Sequence, residues 1–203
     1  LDIRTAGGKI TMDATIGNSA AIGILKINSA GTPTGDIDLV GLAGVATSAA
    51  IGNSSTNLIT LDGTTYTTAG TQTYTSDTGD KIKFTNASDT TITTSGADVG
   101  FVGGNVLLKE DANLTITTGS GSAGNISFGA ALTGDSTTAT KFSDVSLTSG
   151  TGTVGLAAIS TDIRDVTVSA GTANVTLSGN ITLEGGTSDS GVLDITGNVL
   201  AAA

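Results

Sequence analysis

The side chains that could do chemistry in this sequence of 203 residues are carboxylates. There is no His and no Cys, so the usual general bases, soft metal ligands and activated nucleophiles are missing. What remains are paired acids: Asp36/Asp38, Asp77/Asp80, Glu110/Asp111, Asp162/Asp165 and Asp189/Asp194. Two neighbouring carboxyls can divide into a proton donor and a base or nucleophile, the chemistry of glycoside hydrolysis and of lyases. Asp36 and Asp38 flank Ile37 and should point to the same outward side of a strand, whereas Asp162 and Asp165 sit beside Arg164 in a turn. Aromatic residues that would stack on a sugar, Tyr66, Tyr74 and four Phe, are dispersed. The plainer expectation is that these acids are solvated turn and edge residues that keep the molecule soluble and discourage edge pairing. No residue is assigned a catalytic role.

The same oxygens could hold a hard cation, since Asp and Asn side chains with turn carbonyls suit calcium. Neither an EF-hand loop nor the Gly-Gly-x-Gly-x-Asp repeat of calcium-binding β-rolls is present. Metal ligands therefore stay unassigned, and calcium is the one cofactor the composition admits. Asn-x-Ser/Thr triplets at Asn53, Asn86, Asn113, Asn125, Asn174 and Asn180 have the form of glycosylation acceptors. In a chain so rich in Ser and Thr, composition alone produces them. Asn125, Asn174 and Asn180 are expected at the turn before a strand, the amide bonding backbone or the Asn of the next coil. Thr-x-Thr pairs at Thr71/Thr73, Thr73/Thr75 and Thr115/Thr117 have the form of the flat Thr ladders of ice-binding solenoids. A ladder needs the same phase in every coil, and along this sequence the spacing drifts. Plain outward strand surface is expected instead.

The elements that position these residues follow from composition and periodicity. About one residue in five is Thr, and Thr, Val and Ile favour a pleated backbone because branching at Cβ restricts χ1. With 37 % hydrophobic residues, only 3 % aromatic and 13 % charged, the chain is ordered yet has few bulky core fillers. The formal net charge of -10, with only 8 Lys and Arg, argues against nucleic acid and anionic membrane surfaces as partners. No run approaches the roughly 18 to 20 apolar residues of a membrane span. The start, Leu1-Asp2-Ile3-Arg4, reads as that of a processed or excised segment.

One phrase recurs: a turn residue, then apolar, polar or small, apolar. It appears at Gly8-Lys9-Ile10-Thr11-Met12, Gly35-Asp36-Ile37-Asp38-Leu39, Asp80-Lys81-Ile82-Lys83-Phe84, Gly104-Asn105-Val106-Leu107-Leu108 and Gly124-Asn125-Ile126-Ser127-Phe128. Later copies are Asn174-Val175-Thr176-Leu177, Gly179-Asn180-Ile181-Thr182-Leu183 and Gly197-Asn198-Val199-Leu200. Further alternating runs lie between them, among them Ile59-Thr60-Leu61, Leu114-Thr115-Ile116, Val145-Ser146-Leu147, Val166-Thr167-Val168 and Leu193-Asp194-Ile195. Each is a short strand with one buried side, so Ile126, Phe128, Val175, Leu177, Ile181 and Leu183 should face inward and Ser127, Thr176 and Thr182 outward.

Spacings between copies of roughly 20 to 28 residues match a coil of a β-solenoid. The fold expected is all-β, a parallel β-helix of roughly eight to ten coils and about 40 to 50 Å long. Tandem β-sandwich domains are the alternative, although hairpin signals such as Asp62-Gly63 are few. The only helix candidates are the Ala-rich stretch Leu42 to Ile51 and the tail Leu200 to Ala203. Residues 1–203 read as one solenoid segment of a longer chain or fibre, with Pro33 in a turn and a polar excursion from the stack around 63–80.

The phrase Ala69-Gly70-Thr71-Gln72-Thr73-Tyr74-Thr75, with Gly124 to Gly134 and Gly179 to Leu183, resembles the repeat region of very large bacterial surface adhesins of the filamentous-haemagglutinin type. These are exported by two-partner secretion; autotransporter passenger domains are a less close likeness. The resemblance is best from about Leu58 to Leu183. It implies a right-handed parallel β-helix, export to the cell surface, and a stalk or adhesive fibre that meets a host or neighbouring cell, carbohydrate included. It offers no catalytic motif. Two other expectations stay open beside it: a self-assembling surface-layer or filament subunit, and a carbohydrate-active β-helix using the paired carboxylates.

Overall fold

The computed structural model describes residues 1–119, 124–136, 141–185 and 190–201. Among these the chain forms strands from β1 (Asp2–Ile3) to β19 (Leu193–Ala201) and no helix. Neighbouring strands pair parallel throughout. Parallel neighbours cannot be joined by tight hairpins, so the sandwich alternative fails. The chain winds through about eight turns of a β-solenoid.

Three faces make up the stack. The first, the isoleucine face, contains β2 (Ile10–Met12), β4 (Ile37–Leu39), β6 (Ile59–Leu61), β9 (Asp80–Phe84), β12 (Asn105–Lys109) and β15 (Leu132–Asp135). Its inner column runs Ile10, Ile37, Ile59, Ile82, Val106, Leu132 and continues through bridges to Ile159 and Ile181. The second, the threonine face, contains β7 (Thr65–Thr68), β10 (Thr90–Thr93), β13 (Leu114–Thr117) and β16 (Ser143–Thr148). The third, the aromatic face, contains β1, β3 (Ile22–Ile27), β8 (Gln72–Thr75), β11 (Val99–Val102), β14 (Ile126–Phe128) and β17 (Val154–Leu156). Three strands round the corner between these last two faces: β5 (Leu42–Ile51), β18 (Ile163–Leu177) and β19. The Ala-rich helix candidate is thus β5, and Leu200 and Ala201 of the tail end β19, while residues 202–203 lie outside the described part.

The core is a narrow column with aromatic rings stacked from coil to coil. Tyr74 and Phe101 stack with centroids 5.4 Å apart, Phe101 and Phe128 at 4.9 Å, and Phe84 meets Phe101 edge-on at 6.2 Å. Ile126, Phe128 and Val175 are buried, Leu177, Ile181 and Leu183 pack partly buried against the core, and Ser127 and Thr182 are exposed. Where one coil leaves the aromatic face, the next passes very close. A Cβ on Gly52 (φ +77°) would stand 2.2 Å from the Thr75 carbonyl oxygen, and one on Gly103 (φ +91°) 2.0 Å from that of Ser76. Only glycine combines that backbone with that approach.

Residues 63–80 lie within the stack and form β7 and β8, which corrects the expected excursion. The segment looks polar because three of its inward residues are Thr68, Gln72 and Ser76. Their polar atoms are satisfied internally: Gln72 Nε2 donates to the carbonyls of Tyr66 and Thr93, both at 3.0 Å, and its Oε1 accepts from the Tyr74 hydroxyl at 2.7 Å. The Tyr66 hydroxyl donates to the Leu39 carbonyl and accepts from the Gly63 N–H, both at 2.9 Å. Burial pushes both phenols above the usual tyrosine range.

Candidate functional site

The recurrent phrases fall on different faces. Those led by Gly8, Gly35, Asp80, Gly104 and Gly179 build the isoleucine face, whereas those led by Gly124, Asn174 and Gly197 build the aromatic face. The interval from Gly104 to Gly124 is therefore not one coil. True coil lengths range from 20 residues (Ser143 to Ile163) to 31 (Ile116 to Leu147).

The carboxylates are mostly engaged with neighbouring coils. Asp36 Oδ1 accepts from Asn57 Nδ2 at 2.8 Å, and Asp38 pairs with Lys9. Asp77 Oδ1 accepts from the Thr78 N–H at 2.7 Å, while the side chain of Asp80 lies outside the described part. Glu110 pairs with Lys141 at 3.0 Å, and Asp111 is exposed in a left-handed backbone (φ 64°). Asp162, also left-handed (φ 63°), is pushed above the usual carboxylate range by burial first and then by Glu184, with Asp135 and Glu110 adding repulsion. Its partner in sequence, Asp165, instead bonds Arg164 and the next coil. Asp189 lies outside the described residues and Asp194 is exposed. Among the described residues no group of three or more carboxylates is arranged to hold a metal ion.

The acids do assemble into a structural ladder along the corner that enters the threonine face. Asp89 Oδ1 accepts from the Asn113 N–H at 3.0 Å, Asn113 Oδ1 from Asp144 at 2.8 Å, Asp144 Oδ1 from Asp165 at 3.3 Å, and Asp165 Oδ1 from Val192 at 2.9 Å. Arg164 clamps two of these acids, Asp144 at 2.7 Å and Asp165 at 3.3 Å, and its hydrogen bond to Asp144, then the two charges, hold its guanidinium protonated still more firmly. A shallow groove of about 360 Å³ follows this corner, lined by the first four Asx residues with Thr115, Ser146 and Thr167. Other asparagines work similarly. Asn125 Oδ1 accepts from the N–H and hydroxyl of Thr153, and Asn174 Oδ1 from Asn198 Nδ2 at 2.8 Å. Asn53 is buried, donating to the carbonyls of Asn28 and Pro33, so it is no glycosylation acceptor in the folded chain. Asn86 Nδ2 caps the Asp62 carbonyl at 2.7 Å.

Beyond this corner, the threonine face presents two outward columns in register. One runs Thr65, Thr91, Thr115, Ser146, Thr167, Asp194, and the other Thr67, Thr93, Thr117, Thr148, Ser169, Thr196. Hydroxyls occupy all but one of these positions across six rungs. The expected misalignment of Thr pairs is thus overturned for Thr115/Thr117. It does describe Thr73, which lies between Ala50 and Gly100, and Thr75, which lies beside Val102. At the far corner a second set of hydroxyls, those of Thr68, Thr94, Thr118 and Ser149, turns inward to donate to the carbonyls of Gly70, Ala97, Gly124 and Gly152. The rungs of β10, β13 and β16 thus carry an Asx bond at one end and a hydroxyl-closed turn at the other, although coil lengths differ.

Among the described residues no helix is long and apolar enough to cross a membrane. No family model, curated protein or solved structure matches the chain.

Proposed function

We propose that this chain is a structural and adhesive segment of a bacterial cell-surface fibre. The observation that carries the reading is axial: coil after coil is joined in register on three faces, so what the fold builds is length along one axis. About eight turns at ~4.8 Å each make a rod near 40 Å long. The net charge of -10 supports the reading too, since like-charged sides limit lateral clumping. The repeat phrases add their resemblance to filamentous-haemagglutinin-type adhesins, and the partner proposed is the surface of a host or neighbouring cell. Immunogold electron microscopy of the source cells, with antibody raised against this chain, tests it. Label along thin rods projecting outward is expected, and label confined to the cell interior overturns the proposal.

A further inference from the structure

We propose that the threonine face is an ice-binding surface. The inference concerns one side of the solenoid and stands whether or not the chain belongs to a surface fibre.

The first argument is chemical selectivity within one fold. The chain carries 26 charged residues, 18 acidic and 8 basic, yet the two outward columns hold none until Asp194 on the last described rung. The other faces, built on the same backbone, show no such uniformity: the outward column of the isoleucine face reads Thr11, Asp38, Thr60, Lys83, Leu107, Thr133. Charge stands beside the columns, in Asp89, Asp144 and Asp165, but these acids are engaged by Arg164 and by backbone N–H groups of the next coil. Columns that themselves carry no charge are matched to a neutral partner, because ions and charged polymers would be recognised by opposite charge.

The second argument is geometric. Successive rungs are ~4.8 Å apart and alternate residues along a strand ~6.6 Å apart, so the side chains form a nearly rectangular net over six rungs, ~24 Å along the axis. Both repeats lie close to oxygen repeats of the ice lattice. Liquid water has no such long-range order, so a rigid net distinguishes the solid from the liquid.

The third argument is rigidity. Branching at Cβ restricts the Thr side chain, and each carries a methyl beside its hydroxyl, able to bond one water and cage others. Behind the net stand Tyr66, Ile92, Ile116, Leu147 and Val168, all fully buried. The Asx ladder on one edge bonds each of its rungs to the next, the inward hydroxyls on the other close the turn within a coil, and ladders of the first kind keep an extended sheet flat. A crystalline polysaccharide, the nearest rival occupant, is recognised through exposed rings, and no aromatic residue stands in either column.

The test uses the purified chain. Thermal hysteresis and partition of the labelled protein into a slowly grown ice hemisphere are measured for the native chain, for Thr117→Tyr at the centre of the net, and for Thr60→Tyr on the isoleucine face. Circular dichroism melts confirm that each variant is folded, and Ser169→Tyr repeats the test if Thr117→Tyr is not. The native chain and Thr60→Tyr should shape ice and enter it. A ring projecting from the centre of a flat contact should reduce both signals about tenfold, because contact energy concentrates at the centre. Exclusion of the native chain from ice, equal activity of Thr117→Tyr, or retention on chitin or cellulose without any effect on ice would each overturn the proposal.

Discussion

The isoleucine and threonine faces share one backbone plan and differ in what they show to water. Inside, both present an unbroken apolar column, Ile37, Ile59 and Ile82 on one and Ile92, Ile116 and Leu147 on the other. Outside, the first mixes Asp38, Thr60 and Lys83, and the second repeats hydroxyls. Burial constrains the inner columns equally, because each side chain must fill the same narrow section. Nothing in the coil geometry demands uniformity outside, so the regularity of one outer face is information about what that face meets.

The comparison is open to breaking first at the core. Ile92→Ala and Ile82→Ala remove fully buried side chains from the two faces and should each cost about 2 to 5 kcal/mol in denaturant melts. A cost confined to one face would show that the two interiors are not equivalent. Tyr66→Phe is the next largest change, at about 1 to 3 kcal/mol, because it strips the buried partners Leu39 C=O and Gly63 N–H of their hydroxyl. The same residue makes stability depend on alkaline pH. With both buried phenols pushed above their usual range, the unfolded chain ionises first. Stability is therefore complete below the unfolded tyrosine pKa of about 10 and falls as pH rises beyond it. Melting points across that range should fall steeply, and the slope should be shallower in the double variant Tyr66→Phe/Tyr74→Phe.

At the corner, Asn113→Ala removes the acceptor for the Asp144 N–H and should cost about 1 kcal/mol. Asn113→Asp, which keeps the acceptor, should restore most of it. The smallest effect sharpens the comparison most. Thr115→Ala and Thr60→Ala, outward on the two faces, should both change stability by no more than about 0.5 kcal/mol in the same melts. If Thr115→Ala costs clearly more, the hydroxyl columns serve the fold itself and their regularity has a structural cause.

The strands were legible because alternation is local. Ile10-Thr11-Met12, Ile37-Asp38-Leu39 and Leu114-Thr115-Ile116 each state, within three residues, which side is buried. The turn role of Asn125 was legible for the same reason, as a short amide ahead of a strand bonds the adjacent coil; Asn174, expected in a turn, lies inside β18, where its amide still meets Asn198 of the next coil. The inward course of 63–80 was not, because Gln72 and Thr68 read as surface residues until their buried partners, carbonyls of Tyr66, Thr93 and Gly70, are in place. Nor was the alignment of the hydroxyl columns. Thr91 to Thr115 is 24 residues and Thr115 to Ser146 is 31, yet all three stand on neighbouring rungs. By itself, then, the amino-acid order determined that this chain makes short, one-sided strands and stacks them. Tertiary structure alone decided which strands share a face, since added loop length costs little closure entropy and is absorbed between rungs, while parallel pairing holds the rungs themselves in register.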